Sequence, residues 1–284
     1  MISLKEVKNF KYRINPTEEI VGRANFGYYI VRPISLYLTW LILQTRMSAN
    51  QVTVLHMVIG LFGSVLLGFA GLKLKLIGIA ILYLSYILDN VDGEVARYRK
   101  QVSISGKYLD SIAHNIVIMA MFFGFGFGAY LDTGKIELVI FGFLAGFFSL
   151  RFDILNMYTE AAQSVESHLD QSYEYYKNIE KNLPGKEELD FQYISKKAGN
   201  RLKRLVFAAF AFPGTLNIIA LVLLIELILL QFKLEFLTIS VNSVALYTYG
   251  SLLPLRRFYT IRKIVLNHET ERKYLKLRNL GEKD

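Results

Sequence analysis

Six long apolar windows constrain this chain more than any other feature of its sequence. A run of about 20 apolar residues is long enough to cross the hydrocarbon core of a bilayer as one helix. The composition agrees, with 53% hydrophobic residues and a mean hydropathy of +0.32. We therefore predict an all-α fold, a polytopic membrane helix bundle with six transmembrane helices. The windows are Val52 to Gly71, Leu74 to Val95, Tyr108 to Leu131, Ile136 to Tyr158, Leu205 to Leu230 and Leu234 to Phe258.

A shorter apolar stretch, Tyr28 to Gln44, precedes these windows. Arg32 and Pro33 interrupt it, and it contains aromatic residues such as Tyr37 and Trp40. This composition is typical of a helix at the membrane–water interface. We interpret the stretch as an N-terminal interfacial helix, with a seventh transmembrane span as the alternative.

Basic residues are distributed unevenly around the windows. Of the 33 Lys and Arg, only Lys73, Lys75, Lys135 and Lys233 lie in the three short connections on one side of the predicted bundle. The positive-inside rule then makes the other side cytoplasmic, with both termini and the long segment 160–204. This topology also accounts for the net charge of +9. Because no nucleic-acid-binding motif accompanies that charge, we expect no nucleic-acid partner.

Charged residues inside the second window indicate a functional site. A carboxylate in strongly apolar sequence is costly and usually faces a polar cavity. On a helix that turns ~100° per residue, the polar and small residues of this segment fall on one face, roughly 140° wide. That face consists of Asp89, Asp92, Gly93, Ala96 and Arg97.

A second polar face lies on the following window. Gly106, Asp110 and His114 recur every fourth residue, so they share one side of a helix. The link between the two helices, residues 98–105, is short enough for them to run antiparallel with these faces opposed. Arg97 then lies level with Gly106, Asp92 with Asp110, and Asp89 with His114, and the two faces form one site.

Carboxylates that converge on a small volume repel one another unless a cation neutralises them. Asp89, Asp92 and Asp110 are hard oxygen ligands of the kind that Mg²⁺, Mn²⁺ and Ca²⁺ prefer. We therefore predict a metal site at these residues. The small side chains beside them leave room for a flat or phosphorylated ligand, and Arg97 can pair with its phosphate oxygens.

The order of these residues resembles a family signature. D-x-x-D-G-x-x-A-R, then eight residues, then G-x-x-x-D-x-x-x-D is similar to the motif of the CDP-alcohol phosphotransferases (CDP-alcohol phosphatidyltransferases). Seven of its eight fixed positions are present here, and His114 occupies the eighth, where the family has a final Asp. Upstream, Asn50-Gln51-Val52-Thr53 resembles the family's P-N-x-x-T segment, with Ala49 in place of Pro.

The resemblance implies an integral-membrane enzyme. It would move a phosphatidyl or phospho-alcohol group from a CDP-linked donor, CDP-diacylglycerol or a CDP-alcohol, to the hydroxyl of an alcohol or sugar-phosphate acceptor. CMP would be released, and the product would enter phospholipid or polar-lipid biosynthesis. We assign residues 51–259 to a six-helix membrane catalytic domain with a cytoplasmic insertion at 160–204. Residues 1–50 form a cytoplasmic N-terminus and interfacial helix, and residues 260–284 a cytoplasmic basic tail.

The resemblance also implies residue roles by position. Mg²⁺ or Mn²⁺ would be the cofactor, and His114 takes the place of the residue thought to deprotonate the acceptor. Arg151 would bind an acceptor phosphate, although an ion pair or a snorkelling arginine explains it equally well. Metal ligands would be Asp89, Asp92 and Asp110, and contacts to the cytidine diphosphate would come from Asn50, Thr53, Gly93, Ala96, Arg97 and Gly106.

Several alternatives remain open at this point. An imidazole can act as a base, but it supplies no negative charge beside a metal, so a catalytically impaired CDP- or lipid-binding membrane protein competes with the enzyme. The G-x-x-x-G of Gly142 and Gly146 permits close helix approach, either within the bundle or in the homodimer that the resemblance favours. The predicted location is the cell inner membrane, or the endoplasmic reticulum in a eukaryote, with the active site facing the cytoplasm.

Overall fold

The computed structural model describes residues 3–7, 26–150, 209–232 and 241–266. These ranges contain a helical turn at 4–7, seven longer α-helices and no β-strand. The contacts divide the chain into two units, residues 1–150 with 208–253, and residues 151–207 with 254–284. The described part of the second unit, 254–266, is helical. The helices are α1 (Phe26–Leu43), α2 (Ala49–Leu67), α3 (Leu72–Tyr98), α4 (Ile104–Thr133), α5 (Glu137–Ser149), α6 (Gly214–Gln231) and α7 (Val241–Leu266).

The predicted all-α membrane bundle is confirmed. Within the described ranges, α2, α3, α4 and α6 are long and apolar enough to cross a membrane. Two shorter apolar helices, Val31–Leu43 and Glu137–Ser149, lie in α1 and α5. The count of six spans stays a prediction, because the fourth, fifth and sixth windows include residues outside the described ranges. Arg151 and the insertion at 160–204 also lie outside them.

Side-chain caps set where α2 and α4 begin. Ser48 Oγ accepts a hydrogen bond from the Gln51 backbone N–H, and the Gln51 side chain accepts one from the Ser48 N–H, which is a complete capping box. Ser103 caps α4 in the same way by accepting from the Gly106 N–H. These caps place the N-termini of two helices beside the C-terminal end of α3. The predicted short link is confirmed as residues 99–103, between Tyr98 and Ile104.

The helix α2 lies between the two helices that carry the acidic motif. Its backbone approaches α4 so closely that a Cβ on Gly124 would lie 2.2 Å from the Ser64 carbonyl oxygen, and one on Gly128 would lie 2.1 Å from that of Leu67. The contacts of α3 with α4 are far fewer than those that either makes with α2. The prediction of two faces packed directly together was therefore incomplete, since α2 supplies a third wall that the motif spacing did not include.

The glycines of α5 pack inside the bundle. A Cβ on Gly142 would lie 2.7 Å from the Phe122 carbonyl oxygen, and one on Gly146 would lie 3.1 Å from that of Met119, both on α4. This G-x-x-x-G is therefore used in contact between two helices of one chain. The predicted homodimer gains no support from it.

The helix α1 turns its polar side chains toward α3. The buried Glu94 accepts hydrogen bonds from Ser35 Oγ at 3.1 Å and from Thr39 Oγ1 at 2.6 Å. Large apolar side chains on α1, including Ile34 and Leu41, are exposed instead. An apolar outer face suits contact with lipid. The buried hydrogen bonds to Glu94 attach α1 to α3 next to the acidic motif. The predicted position of α1 at the membrane interface, with a seventh transmembrane span as the alternative, stays a prediction.

At the opposite end of the bundle, α3 and α4 are joined by an ion pair. Lys75 is fully buried and contacts the Asp132 carboxylate, which also accepts a hydrogen bond from the Gly71 N–H at 2.8 Å. Lys75 is therefore a paired side chain inside the protein. It is not a loop charge of the kind that the positive-inside rule counts.

Candidate active site

Residues from α2, α3 and α4 form three levels of one polar site. The capped N-termini of α2 and α4 lie at the same end of the bundle as the C-terminal end of α3, so α3 is antiparallel to both. Counting along the helices places the levels about one turn apart. We define a mouth level of Asn50, Arg97 and Gly106, a middle level of Thr53, Asp92 and Asp110, and a deep level of His56, Asp89 and His114.

At the mouth level, the first turns of α2 and α4 touch. A Cβ on Gly106 would lie 3.2 Å from Asn50 Oδ1, a tight contact that the glycine avoids. On α3, the Arg97 guanidinium lies over Gly93, with Nη1 3.2 Å from the position of a Cβ on that glycine. Ala96 packs partly against an apolar cluster that includes Val52 and Val95. Small residues therefore keep the backbone of the mouth accessible.

At the middle level, a threonine orients a buried carboxylate. Thr53 Oγ1 donates a hydrogen bond of 2.6 Å to Asp92 Oδ2, and both side chains are buried. Asp110, which is more exposed, accepts from Lys107 Nζ at 2.5 Å. The Asp92 carboxylate is thus held in one orientation, whereas the flexible Lys107 can leave Asp110 when a ligand arrives.

At the deep level, Asp89 lies between two histidines. Its Oδ1 is 3.7 Å from His56 Nε2 and 3.9 Å from His114 Nδ1. The two histidines are 2% and 8% exposed, and among the described residues neither Nε2 atom has a hydrogen-bond partner. A buried nitrogen without a partner is costly. This pair of imidazole nitrogens therefore points to a bound group.

A small cleft opens beside the deep level. The Phe212 ring meets the His114 ring edge-on at a centroid distance of 4.7 Å and the Tyr86 ring at 5.3 Å. The cleft therefore combines an aromatic wall with carboxylate and imidazole groups. Its lining consists of His56, Ser85, Tyr86, Asp89, His114, Val117, Ile118 and Phe212.

The donor set suits a divalent cation. His56, Asp89 and Asp110 offer ligand atoms that all lie within 4.8 Å of one another. Asp92 Oδ2 lies 4.0 Å from His56 Nε2, so a further carboxylate is close to this group. Carboxylates are ligands for Mg²⁺ and Mn²⁺, and imidazole is a common ligand for transition-metal ions. The residues present therefore fit the metal that the motif implies.

Most of the predicted site residues come together, and one neighbour was missed. The levels contain Asn50, Thr53, Asp89, Asp92, Arg97, Gly106, Asp110 and His114, with Gly93 under Arg97. Arg151 lies outside the described residues, so its role stays a prediction. His56 was not predicted, although it follows Asn50 and Thr53 at intervals of three residues and therefore shares their helix face.

Fold and site together define an α-helical membrane protein with a carboxylate and imidazole site at the ends of three helices. The sequence model of the CDP-alcohol phosphatidyltransferase family matches residues 46–173. The matched region contains every residue of the three levels, and it confirms the resemblance that the motif indicated. No curated protein matches this chain. The family match supports CDP-alcohol phosphotransfer as the general activity, with a CDP-linked donor, an alcohol acceptor and a divalent metal.

Proposed function

We propose that this protein transfers a phosphatidyl or phospho-alcohol group from a CDP-linked donor to an acceptor hydroxyl, with release of CMP. The observation that carries the proposal is the convergence of Asp89, Asp110 and His56 within 4.8 Å beneath an arginine and two capped helix N-termini. Helix N-termini and arginine favour phosphate, and a carboxylate cluster favours the divalent cation that accompanies a pyrophosphate.

The aspartates would hold Mg²⁺ or Mn²⁺. Asp89, Asp92 and Asp110 supply the carboxylates, and Thr53 keeps Asp92 oriented through its 2.6 Å hydrogen bond. When bound, the cation would neutralise the pyrophosphate and the charge that develops on the leaving phosphate. Asp92 and Asp89 are buried and partly buried, so without a cation their repulsion is poorly screened by solvent.

The mouth level would hold the cytidine diphosphate. Arg97 pairs with phosphate oxygens, while Gly93, Ala96 and Gly106 let the ligand reach the backbone. Asn50 Oδ1 lies next to Gly106, at the position where a base or ribose would contact both helices. These side chains would bind and orient the donor, so its β-phosphorus faces the deep level.

His114 is the proposed base for the acceptor. Its Nδ1 lies on the Asp89 side, and its buried Nε2 has no partner among the described residues. The acceptor oxygen would attack the phosphorus that carries the transferred group, its proton would pass to the imidazole, and the P–O bond to CMP would break. The aromatic wall of Tyr86 and Phe212 would exclude water from this step.

The second candidate is a CDP- or lipid-binding membrane protein without turnover. The histidine at position 114, where the family has a final Asp, favours it, since an imidazole adds no charge to a metal site. Purified protein in lipid should be incubated with Mg²⁺ or Mn²⁺, each of CDP-diacylglycerol, CDP-ethanolamine and CDP-inositol, and a panel of alcohol and sugar-phosphate acceptors. Donor- and acceptor-dependent CMP release supports the enzyme. Binding of CDP without release by any combination supports the second candidate.

The proposed setting is a membrane with the site open to the cytoplasm. Arg97, Arg99 and Lys100 lie at the mouth end of α3, whereas Lys75 at the other end is buried and paired. This asymmetry supports a cytoplasmic mouth under the positive-inside rule. Phospholipid or polar-lipid synthesis, a homodimer and location in the inner membrane or endoplasmic reticulum are parts of the proposal that rest on the resemblance.

A further inference from the structure

We propose that His56 is a metal ligand, so the site is a mixed imidazole and carboxylate centre that prefers Mn²⁺ or another transition metal over Mg²⁺. This inference rests on the proposed function for the role of the metal. It adds a residue that lies outside the acidic motif. It also makes a claim about which ion the site selects.

His56 lies close to two carboxylates of α3. Its Nε2 is 3.7 Å from Asp89 Oδ1 and 4.0 Å from Asp92 Oδ2. Both distances exceed those of hydrogen bonds, so His56 is not bound to either aspartate through a shared proton. Asp110 Oδ completes the group within 4.8 Å. An ion between these atoms would be a partner for all of them.

The His56 side chain is deeply buried. His56 is 2% exposed, and its Nε2 has no hydrogen-bond partner within the part of the chain that the structure describes. Leaving such a nitrogen unsatisfied has a free-energy cost. A coordinated metal removes this cost, because the imidazole lone pair then has an acceptor.

The backbone around His56 is fixed. Ser85 Oγ on α3 donates a hydrogen bond of 2.8 Å to the His56 carbonyl oxygen. One turn further on, Gly60 lies so close to α3 and α4 that a Cβ would be 2.7 Å from Ser85 Oγ and from Val117. The backbone that carries the imidazole is therefore held in place before a ligand binds, as a preorganised site requires.

A nitrogen ligand changes which ion is preferred. Mg²⁺ is bound mainly through oxygen, whereas Mn²⁺ and the later divalent ions accept imidazole with increasing affinity. His114 lies on the other side of Asp89 at 3.9 Å, so a second imidazole borders the same carboxylate. The deep level thus has more nitrogen character than a site built from aspartates alone.

The test uses the full-length protein in lipid with Mn²⁺ alone as the probe. Pulsed electron paramagnetic resonance detects ¹⁴N coupled to bound Mn²⁺, and the chain has 4 histidines. A variant with H114N, H168N and H268N keeps His56 as its single histidine. We expect imidazole ¹⁴N coupling in this variant and its loss when His56→Asn is added. Because Asn leaves an oxygen of similar reach, Mn²⁺ affinity should fall about tenfold or more and Mg²⁺ affinity should change less.

The contrary results separate this inference from the proposed function. Mn²⁺ that binds in an Asp89-dependent way without ¹⁴N coupling in the single-histidine variant overturns the role of His56, even if CMP is released. Coupling that persists after His56→Asn in that background overturns it too. Coupling with no CMP release in any assay supports the His56 ligand and overturns the transferase. Absence of any Mn²⁺ binding overturns the His56 ligand, and it overturns the transferase too if no CMP is released with Mg²⁺.

Discussion

Thr53 donates a 2.6 Å hydrogen bond to Asp92, from α2 to the central acidic residue of α3. Replacing Thr53 with Val keeps the shape of the side chain and removes the donor. Because groups that orient metal ligands typically contribute 10- to 100-fold in metal affinity or activity, we expect a loss of that order in metal-dependent CDP binding. Calorimetric titration of CDP in the presence of Mn²⁺ measures it.

The matched control for this variant is Thr248→Val. The Thr248 hydroxyl lies on the exposed side of α7 and donates to the Val244 carbonyl of its own helix. Its replacement should leave CDP binding unchanged. Equal CDP affinity in the Thr53 and Thr248 variants would show that the Thr53–Asp92 bond does not support the site.

The hydrogen bond between Thr39 and Glu94 predicts a stability effect. Thr39→Val removes the 2.6 Å donor to a buried carboxylate. Leaving a buried acceptor short of a donor costs about 1–3 kcal/mol, and more where the group is charged. The free energy of unfolding in detergent should fall by this amount relative to Thr248→Val. An unchanged value would mean that α1 does not depend on this bond for its attachment to α3.

The sequence predicts the position of His114 in the site but not that of His56. The equal spacing of the two acidic faces predicted that Asp89 and His114 lie level, and their atoms are 3.9 Å apart. His56 was not predicted, although it shares a helix face with Asn50 and Thr53, because the family motif has no fixed residue at its position. Its inclusion depends on how closely α2 approaches α3 and α4. That approach is set by contacts between backbones at Gly63, Gly124 and Gly128, which periodicity along one helix does not reveal.

Membrane topology can be tested with single cysteines, since the natural chain has none. Val102, which is 72% exposed, precedes α4, and the exposed Lys135 follows it. A helix of 30 residues is about 45 Å long, so these positions lie at opposite ends of it. In intact cells or right-side-out vesicles, an impermeant thiol reagent should label Lys135→Cys and leave Val102→Cys unmodified. The reverse pattern would place the mouth of the site outside.

We expect His114 to be needed for transfer and CMP release but not for CDP binding. His114→Ala should reduce CMP release by roughly 10²-fold or more, the usual contribution of a positioned base, with CDP binding largely kept. His114→Asp restores the residue of the family motif and should retain measurable transfer. Wild-type rates in the Ala variant would end the assignment of His114 as base. Activity in the Asp variant alone would favour the binding protein as the natural state.

The central feature of the proposed site is a metal that the aspartates hold and with which the nucleotide binds. Calorimetry of CDP with the wild-type protein, with and without Mn²⁺ or Mg²⁺, tests this directly, and Asp92→Asn supplies the comparison. We predict binding only with metal in the wild type and no metal-dependent binding in the Asp92 variant. Equal CDP affinity with and without metal in the wild-type protein would contradict the metal site and the proposed reaction with it.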